Sequence, residues 1–250
     1  MISGTTRLVA LLGHPVRDSL SPRMQNAAFA ARGLDWAYVA CDVAPEAFET
    51  AVRGLVAARF AGVNVTTPHK EAAAALAETE LSSVNTLVFE EGRIRGHSTD
   101  AAVLADLESE RPVVLGDGGA ALAFRSVLSE ARAFSRKGDW PPDVRDADLV
   151  VNATSERDEV LVELGPGQML VDLPYPETAT AAAAREAGAQ VVSGLEVLVA
   201  QGAAAFELWT GVPAPVEVMR RALGIARDAD FRMPGSARHP SEPTGRSDRG

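Results

Sequence analysis

The sequence predicts an α/β protein made of two lobes. Short apolar runs that are typical of strands alternate with segments of helical spacing, and this alternation occurs in two successive cycles that meet near Leu104. The second cycle contains a glycine-rich turn between a strand and a helix. Alternation of this kind is typical of βα units, which build mostly parallel sheets.

The first cycle begins with an apolar run that ends at Gly13 and is typical of a buried strand. The segment Val63-Asn-Val-Thr-Thr-Pro-His-Lys70 starts like a strand and breaks at Pro68, so we expect a helix from Pro68 onward with Thr67 as its N-cap. Glu91-Gly92 separates two further strand-like segments and predicts a hairpin. The predicted elements are strands over 7–12, 36–43, 60–65, 83–89 and 93–97, and helices over 22–33, 45–58 and 68–76.

The second cycle has similar strands but less room for helices. Only ten residues lie between Lys137 and Asp148, and Pro141-Pro142 is among them, which leaves little space for a crossover helix. We therefore expect a shortened lobe. The predicted elements are strands over 112–115, 132–135, 149–152, 169–173 and 191–192, and helices over 101–110, from the glycine turn onward, over 197–209 and over 214–226.

Composition is that of an ordinary globular protein and limits the kinds of partner. Hydrophobic residues make up 46% and charged residues 23%, and the formal net charge of −10 argues against nucleic acid as a partner. No apolar run is long enough to cross a bilayer and no signal peptide is recognisable, so we expect no membrane partner. The single cysteine, Cys41, excludes an internal disulfide and fits a reducing cytoplasm.

The end of the chain and the histidines give further expectations. The segment 231–250 is rich in Pro, Gly, Ser and Arg, so we expect a disordered tail. The four histidines show no metal-ligand spacing, so we expect no metal site. We expect a small molecule as the partner, and the choice between a monomer and a homodimer stays open.

The turn Gly116-Asp-Gly-Gly-Ala-Ala121 has the form of a dinucleotide-binding fingerprint in its usual place between a strand and a helix. Its glycines would let a pyrophosphate approach the helix N-terminus. About twenty residues further on, where an acidic residue would bind the ribose of NAD, Ser135-Arg136-Lys137 offers two cations that suit the 2′-phosphate of NADP. Asp117 opposes binding because it places negative charge inside the phosphate loop. On balance the pattern favours a turn that binds NADP over a tight turn that binds no ligand.

Several separated motifs point to one family. They are Gly13-His-Pro-Val-Arg-Asp-Ser-Leu-Ser-Pro22, Asn64-Val-Thr-Thr-Pro-His-Lys70, Ser83-Val-Asn-Thr86, Gly96-His-Ser-Thr-Asp100, the glycine turn, Asn152-Ala-Thr154, Gly194-Leu-Glu-Val-Leu-Val-Ala-Gln201 and Phe206-Glu-Leu-Trp-Thr-Gly211. In order and spacing, over roughly 7–223, they resemble the shikimate dehydrogenase family. The resemblance implies an enzyme that reduces 3-dehydroshikimate to shikimate with NADPH.

The resemblance also implies that different parts of the chain bind the substrate and the cofactor. Residues 1–103, completed by 195–228, would form a substrate-binding domain, and 104–194 a shortened Rossmann-type NADP-binding domain. The substrate would be bound by Ser19 and Ser21 at its carboxylate and by Asn64, Thr66, Asn85 and Gln201 at its ring hydroxyls, with Tyr175 near the cleft. The cofactor would be bound by Gly116, Gly118, Gly119, Ala120, Ser135, Arg136, Lys137, Asn152, Thr154 and Gly194.

Lys70 and Asp100 would form the catalytic pair. Asn64 and Thr66 are two positions apart and share one strand face, and Lys70 follows on the first turn of the next helix. Hydride delivery to a ketone builds negative charge on oxygen, which an ammonium group can stabilise and protonate. Asp100 would hold Lys70 in place.

The sequence departs from the family pattern at a few positions. Ser98 stands where the family usually has Asn, Ala101 and Ala102 replace its usual glycines, and the usual Gly-Met after Asn-Ala-Thr-Ser is missing. The helix that usually follows the position of Arg136 is also deleted. Three interpretations therefore stay open: reduction of 3-dehydroshikimate or of an amino or quinate-type analogue, another reaction in the same pocket, and a non-catalytic ligand-binding or regulatory role.

Overall fold

The structure of the protein, a computed structural model, describes residues 2–105 and 107–225. It contains two sheets of five strands each, packed with helices, so the predicted α/β fold of two lobes is confirmed. The segment 231–250, for which the sequence predicts disorder, lies outside the described residues. So does Ala226, the last position of the helix predicted over 214–226.

The first sheet mixes parallel and antiparallel strands. Its strands are β1 (Arg7–Gly13), β2 (Trp36–Asp42), β3 (Gly62–Val65), β4 (Thr86–Glu90) and β5 (Arg93–His97). They lie in the order β2-β1-β3-β4-β5, with β1 parallel to both of its neighbours. β4 and β5 form the predicted hairpin, in which Glu91 and Gly92 have positive φ angles of 51° and 81°. The carboxyl ends of β1 and β3 therefore meet at the same edge of the sheet.

The helices of the first lobe begin close to where the sequence predicts them, except for one. They are α1 (Ser21–Ala31), α2 (Phe48–Ala57, after a 3₁₀ turn at Pro45–Ala47) and α3 (Lys70–Leu76). The prediction that Thr67 caps a helix beginning at Pro68 is wrong, because His69 holds the N-cap position of α3. The Thr67 carbonyl accepts a hydrogen bond from the His14 amide, and the His69 amide donates to the Thr66 carbonyl. These bonds hold the segment as a turn against the end of β1.

The second sheet is entirely parallel. Its strands are β6 (Pro112–Leu115), β7 (Arg132–Phe134), β8 (Leu149–Asn152), β9 (Met169–Asp172) and β10 (Gln190–Val192). They lie in the order β10-β9-β8-β6-β7. The helices of this lobe are α4 (Gly119–Val127), which follows the glycine turn, and α5 (Ala179–Glu186), which was not predicted.

Loops take the place of two crossover helices in the second lobe. No helix joins β7 to β8 or β8 to β9 in the described part of the chain, and the first of these absences was expected from the sequence. The two loops instead contribute apolar side chains to a core shared with the sheet. Those side chains are Val144, Ala147, Leu161, Val162 and Leu164. Their burial supplies the cover that helices would otherwise give one face of the sheet.

The helix predicted over 101–110 is wrong beyond its first turn. The chain forms a 3₁₀ turn, Asp100–Leu104, and residues 107–111, just before β6, form neither helix nor strand. The amides of Glu110 and Arg111 donate to the Asp148 carboxylate rather than to helix carbonyls. A partner so distant in sequence cannot be seen in local periodicity.

The closing helices connect the two lobes. They are α6 (Gly194–Thr210) and α7 (Val216–Leu223). Val197 and Ala200 belong to a core of the second lobe, whereas Phe206 and Trp209 belong to a core of the first. The Trp209 indole N–H also donates to the Leu87 carbonyl at 3.1 Å. Phe206 and Trp209 therefore attach α6 to the first lobe.

Candidate active site

A cavity of about 370 Å³ opens where the carboxyl ends of β1 and β3 face the second lobe. This edge of an α/β sheet is the usual place for a ligand. The cavity is lined by every side chain that the resemblance assigns to substrate binding and catalysis: Ser19, Ser21, Asn64, Thr66, Lys70, Asn85, Asp100, Tyr175 and Gln201. Motifs that lie far apart in the sequence thus meet in one space.

Lys70 and Asp100 form an ion pair in the wall of this cavity. Lys70 Nζ lies 2.6 Å from Asp100 Oδ2, and the two side chains are only 13% and 14% exposed. Lys70 is the first residue of α3, and its backbone carbonyl accepts a hydrogen bond from the Val84 amide at 3.1 Å. An ammonium group has three protons, so the bond to Asp100 leaves it able to donate to a ligand in the cavity.

Asn85 fixes the other oxygen of the Asp100 carboxylate. Its Nδ2 donates to Asp100 Oδ1 at 2.8 Å and lies 3.3 Å from Gln201 Oε1. Its Oδ1 accepts a hydrogen bond from the Thr99 amide at 2.7 Å. Because Asn85 is only 2% exposed, this buried network holds the carboxylate in one orientation toward Lys70.

Asn64 is held by the first lobe itself. Its Oδ1 accepts a hydrogen bond from the Tyr38 hydroxyl at 2.8 Å, and its Nδ2 donates to Thr86 Oγ1 and to the Asn85 carbonyl at 3.0 and 3.2 Å. Both amide protons are therefore used, and a ligand can reach only the remaining lone pair of Oδ1.

Sequence analysis missed Tyr38, which orients Asn64 from the neighbouring part of the sheet. Tyr38 is 2% exposed, and burial raises the pKa of its hydroxyl. The available signal was a tyrosine within the apolar strand β2, because a buried tyrosine hydroxyl usually has a hydrogen-bond partner. Nothing in the spacing of the chain identifies Asn64 as that partner.

Ser19 and Ser21 form a polar corner of the cavity together with Tyr175 from the second lobe. The Ser21 amide donates to Ser19 Oγ at 3.3 Å. The Tyr175 hydroxyl faces Ser19 and the backbone of Leu20, and burial raises the pKa of this hydroxyl. Three neutral hydroxyl groups therefore come together where a carboxylate could accept their hydrogen bonds.

A second cavity, of about 590 Å³, lies beside the glycine turn at the edge of the second sheet. Gly116 has a φ of +117°, and a Cβ at that position would lie 3.0 Å from the Ala153 carbonyl oxygen, so the turn requires glycine. The predicted cofactor residues that line this cleft are Gly116, Gly118, Ser135, Arg136, Lys137 and Thr154. A backbone turn rich in glycine, next to two cations, fits a dinucleotide phosphate.

Arg136 and Lys137, the two cations predicted to bind the cofactor, are paired with carboxylates. Arg136 is bonded to Glu159 and lies 3.7 Å from Glu156, while Lys137 Nζ lies 2.7 Å from Asp117 Oδ2. The Lys137 ammonium lowers the pKa of the Asp117 carboxyl. The negative charge that the sequence places inside the phosphate loop is therefore matched by a neighbouring cation.

The aromatic ring of Trp140 also lines the nucleotide cleft. The Arg136 guanidinium carbon lies 5.7 Å from the centre of this ring, within the range of a cation–π contact. Trp140 also packs against the core of the second lobe. It therefore joins the cleft to that core.

Asn152 lies behind the cleft rather than in it. It is fully buried, its Nδ2 donates to Asp172 Oδ1 at 2.7 Å, and its Oδ1 accepts a hydrogen bond from Thr154 Oγ1 at 2.7 Å. Burial raises the pKa of the Asp172 carboxyl. In this arrangement Asn152 shapes the loop that carries Thr154.

The remaining predicted cofactor residues lie at the border between the two cavities. Ala120 and Gly194 line the first cavity, and Gly119 lies against Ser83 of the first lobe. The glycine turn thus reaches from the nucleotide cleft to the side of Lys70. A reacting atom of a nucleotide bound there would enter the first cavity.

Two kinds of feature are absent from residues 2–105 and 107–225. No helix in those ranges is both long and apolar enough to cross a lipid bilayer. No three side chains of His, Cys, Asp or Glu come together there as the ligands of a metal ion would.

Comparisons with known proteins match two separate parts of the chain to one family. The family profile described as "Shikimate dehydrogenase substrate binding domain" matches residues 11–87. The profile described as "Shikimate 5'-dehydrogenase C-terminal domain" matches residues 194–223. These ranges contain most of the first lobe and the helices α6 and α7.

Individual relatives match over most of the chain. A shikimate dehydrogenase (NADP(+)) of Moorella thermoacetica is 40% identical, with 95% of this chain and 99% of the relative covered. The crystal structure of shikimate dehydrogenase from Aquifex aeolicus has a TM-score of 0.80 and 31% identity, covering 89% of this chain and 99% of its own. The Thermus thermophilus enzyme in complex with NADP(H) and shikimate has a TM-score of 0.77 and 32% identity, covering 87% and 98%. The chain therefore belongs to the shikimate dehydrogenase family.

Proposed function

We propose that this protein reduces 3-dehydroshikimate to shikimate with NADPH. The observation that carries the proposal is the partly buried Lys70–Asp100 pair, which lies in a polar cavity next to a glycine turn and two cations. The name of the Moorella relative and the NADP(H) and shikimate bound to the Thermus enzyme support the same reaction. Residues 1–103, with 195–228, would bind the substrate, and 104–194 the nucleotide.

The nucleotide cleft fits NADPH. The pyrophosphate would lie at the turn that includes Gly116 and Gly118, and the 2′-phosphate would lie near Arg136 and Lys137. Bound in this way, NADPH would supply the hydride. The adjoining border residues Ala120 and Gly194 have little or no side chain, so they leave room for the reacting end to reach the first cavity.

The first cavity fits a small ring that carries a carboxylate and hydroxyl groups. Ser19 and Ser21 would donate to the carboxylate. Thr66 and Gln201 would hydrogen-bond the ring hydroxyls, and Asn64 would accept from one of them with its remaining lone pair. With these contacts made, the ketone would lie beside Lys70.

The chain's own chemistry would be a proton transfer from Lys70. Hydride addition to the carbonyl carbon converts the ketone into an alkoxide, and the Lys70 ammonium gives it a proton. One N–H bond breaks, one O–H bond forms, and the neutral amine regains its proton from solvent. Asp100, held by Asn85, keeps Lys70 in position throughout the cycle.

Two measurements test the proposal. NADPH is titrated by fluorescence, and its oxidation is then followed by absorbance with 3-dehydroshikimate and, in parallel, a quinate-type ketoacid. We expect nucleotide binding and faster turnover of 3-dehydroshikimate. Binding without turnover of either ketoacid would point to another reaction, and no binding at millimolar nucleotide would leave a non-catalytic ligand-binding protein.

A further inference from the structure

Gly119 makes the tightest approach between the glycine turn and the first lobe. A Cβ placed on Gly119 would lie 2.7 Å from Ser83 Oγ and 3.2 Å from both Cβ and Cδ of Lys70. Carbon atoms pack best at about 3.5–4.0 Å, so any side chain at this position would overlap both neighbours. The preceding glycine, Gly118, would meet nothing within 4 Å. The tight contact is therefore a property of Gly119 alone.

The backbone of Gly119 does not itself require glycine. Gly119 is the first residue of α4, and it is absent from the glycines with positive φ. An alanine would suit the first turn of a helix at least as well. Contact with the other lobe is therefore a physical reason for a glycine here.

Ser83 connects this contact to the catalytic pair. Its Oγ donates to the Gly119 carbonyl at 3.3 Å, and the residue is only 5% exposed. The next residue, Val84, donates its amide to the Lys70 carbonyl. Asn85 follows and holds the Asp100 carboxylate. Three consecutive residues thus link the glycine turn with both members of the pair.

We propose that Gly119 and Ser83 form an interlobe stop that sets how closely the glycine turn approaches Lys70. The missing side chain at Gly119 permits the short approach, and the Ser83 hydroxyl limits and aligns it. Both are positioning residues. The inference rests on the proposed function in one respect, since a nucleotide bound at this turn would have its distance from the ketone set by the stop.

A spin-label experiment tests the stop without depending on activity. In a Cys41→Ser background, which removes the sole cysteine, labels are placed at Thr50→Cys on α2 and Glu186→Cys on α5, two exposed positions on different lobes. Pulsed EPR then gives the interlobe distance. The variants are Gly119→Ala, Gly119→Val and Gly119→Ala with Ser83→Ala, and the matched control is Gly118→Ala.

We expect Gly119→Val to lengthen the interlobe distance by about 1 Å or more, because a side chain must be accommodated where atoms already touch. Gly119→Ala should give a smaller shift. Adding Ser83→Ala should reverse part of it by removing the closest atom, and Gly118→Ala should leave the interlobe distance unchanged. An unchanged distance in Gly119→Val, at a melting temperature that shows an intact fold, overturns the proposal. So does a shift of equal size in Gly118→Ala.

Kinetics of the Gly119 variants connects the stop to the reaction. A displacement of about 1 Å can cost roughly 10²-fold in rate. We therefore expect kcat to be lower in Gly119→Ala than in wild type and lowest in Gly119→Val. The Kd for shikimate should stay within about twofold. Recovery of kcat in the Gly119→Ala, Ser83→Ala double variant supports the proposal, and a further fall in kcat contradicts it. If the wild-type protein shows no turnover while the interlobe distances shift as expected, the interlobe stop is supported and the proposed reduction of 3-dehydroshikimate is refuted.

Discussion

In the first lobe the proposed catalytic pair is largely buried and hydrogen-bonded, whereas in the second lobe the two cations proposed for the cofactor, Arg136 and Lys137, are exposed and paired with carboxylates. The Lys70 and Asp100 side chains are 13% and 14% exposed, but those of Arg136 and Lys137 are 54% and 83% exposed. A buried polar network keeps its geometry before a ligand arrives, which is what electrostatic catalysis requires. Exposed ion pairs contribute little energy and can exchange partners when a ligand binds. Substitutions in the first lobe should therefore have the larger effects.

The largest effect should come from Lys70. We expect Lys70→Ala to lower kcat by about 10²–10⁴-fold, the usual contribution of general acid–base catalysis, while the fold and most shikimate binding are retained. Steady-state kinetics and a separate shikimate titration check this. Arg53→Ala, which removes an exposed cation on α2, is the control. A loss of less than about threefold in kcat would exclude Lys70 as the proton donor.

The next effect should come from the serine corner of the same cavity. Ser19→Ala combined with Ser21→Ala should raise KM by about tenfold, since each lost hydrogen bond contributes about 0.5–1.5 kcal/mol, and should lower kcat less. The carboxylate contact is similar in the ground and transition states, so it affects mainly binding. The exposed Ser126→Ala on α4 serves as the control. An unchanged KM in the double variant would remove both serines from the substrate site.

In the second lobe, Arg136 should contribute a smaller effect to cofactor choice. Arg136→Ala should reduce the preference for NADP over NAD by about three- to tenfold, because the guanidinium is half exposed and already bonded to Glu159. Titration of both nucleotides measures this ratio, and added salt should shrink it in wild type. Arg185→Ala removes a similarly exposed arginine that pairs with Glu177. An equal change in that control would show that Arg136 has no specific role.

The smallest effect should come from Asp117, where a substitution should increase the affinity for NADP. Asp117→Asn frees Lys137 from its partner and removes negative charge from the phosphate loop, so NADP should bind about two- to threefold tighter. Asp143→Asn, which breaks an exposed pair with Arg145 elsewhere in the lobe, should leave the Kd unchanged. Weaker binding in Asp117→Asn would mean that the carboxylate orders the loop rather than opposing the phosphate.

The sequence predicted the two-lobe fold because strand and helix patterns are local, and the resemblance of separated motifs to one family predicted the contents of the first cavity. Asn64, Thr66 and Lys70 lie within one strand, turn and helix, so periodicity and motif spacing identify them together. The second lobe's missing crossover helix was visible for the same reason, since a segment length is enough to exclude it.

Features that depend on contacts between distant residues could not be predicted. The Asp148 carboxylate accepts hydrogen bonds from the amides of Glu110 and Arg111, which therefore do not bond within a helix. Tyr38, on another strand, donates a hydrogen bond that orients Asn64. The pairing of Arg136 with Glu159 likewise joins side chains of separate loops. Each is set by tertiary geometry, which overrides local pattern.

Because α6 and α7 complete the core of the first lobe, that lobe can finish folding only after the end of the chain has been synthesised. The first lobe's strands lie in the amino-terminal part of the chain, yet the core that covers one face of their sheet also needs Phe206, Trp209 and Met219. Translation proceeds from the amino terminus, so a nascent chain that ends before Gly194 leaves that apolar face open to solvent. The lobe that emerges first from the ribosome is therefore the last to be completed.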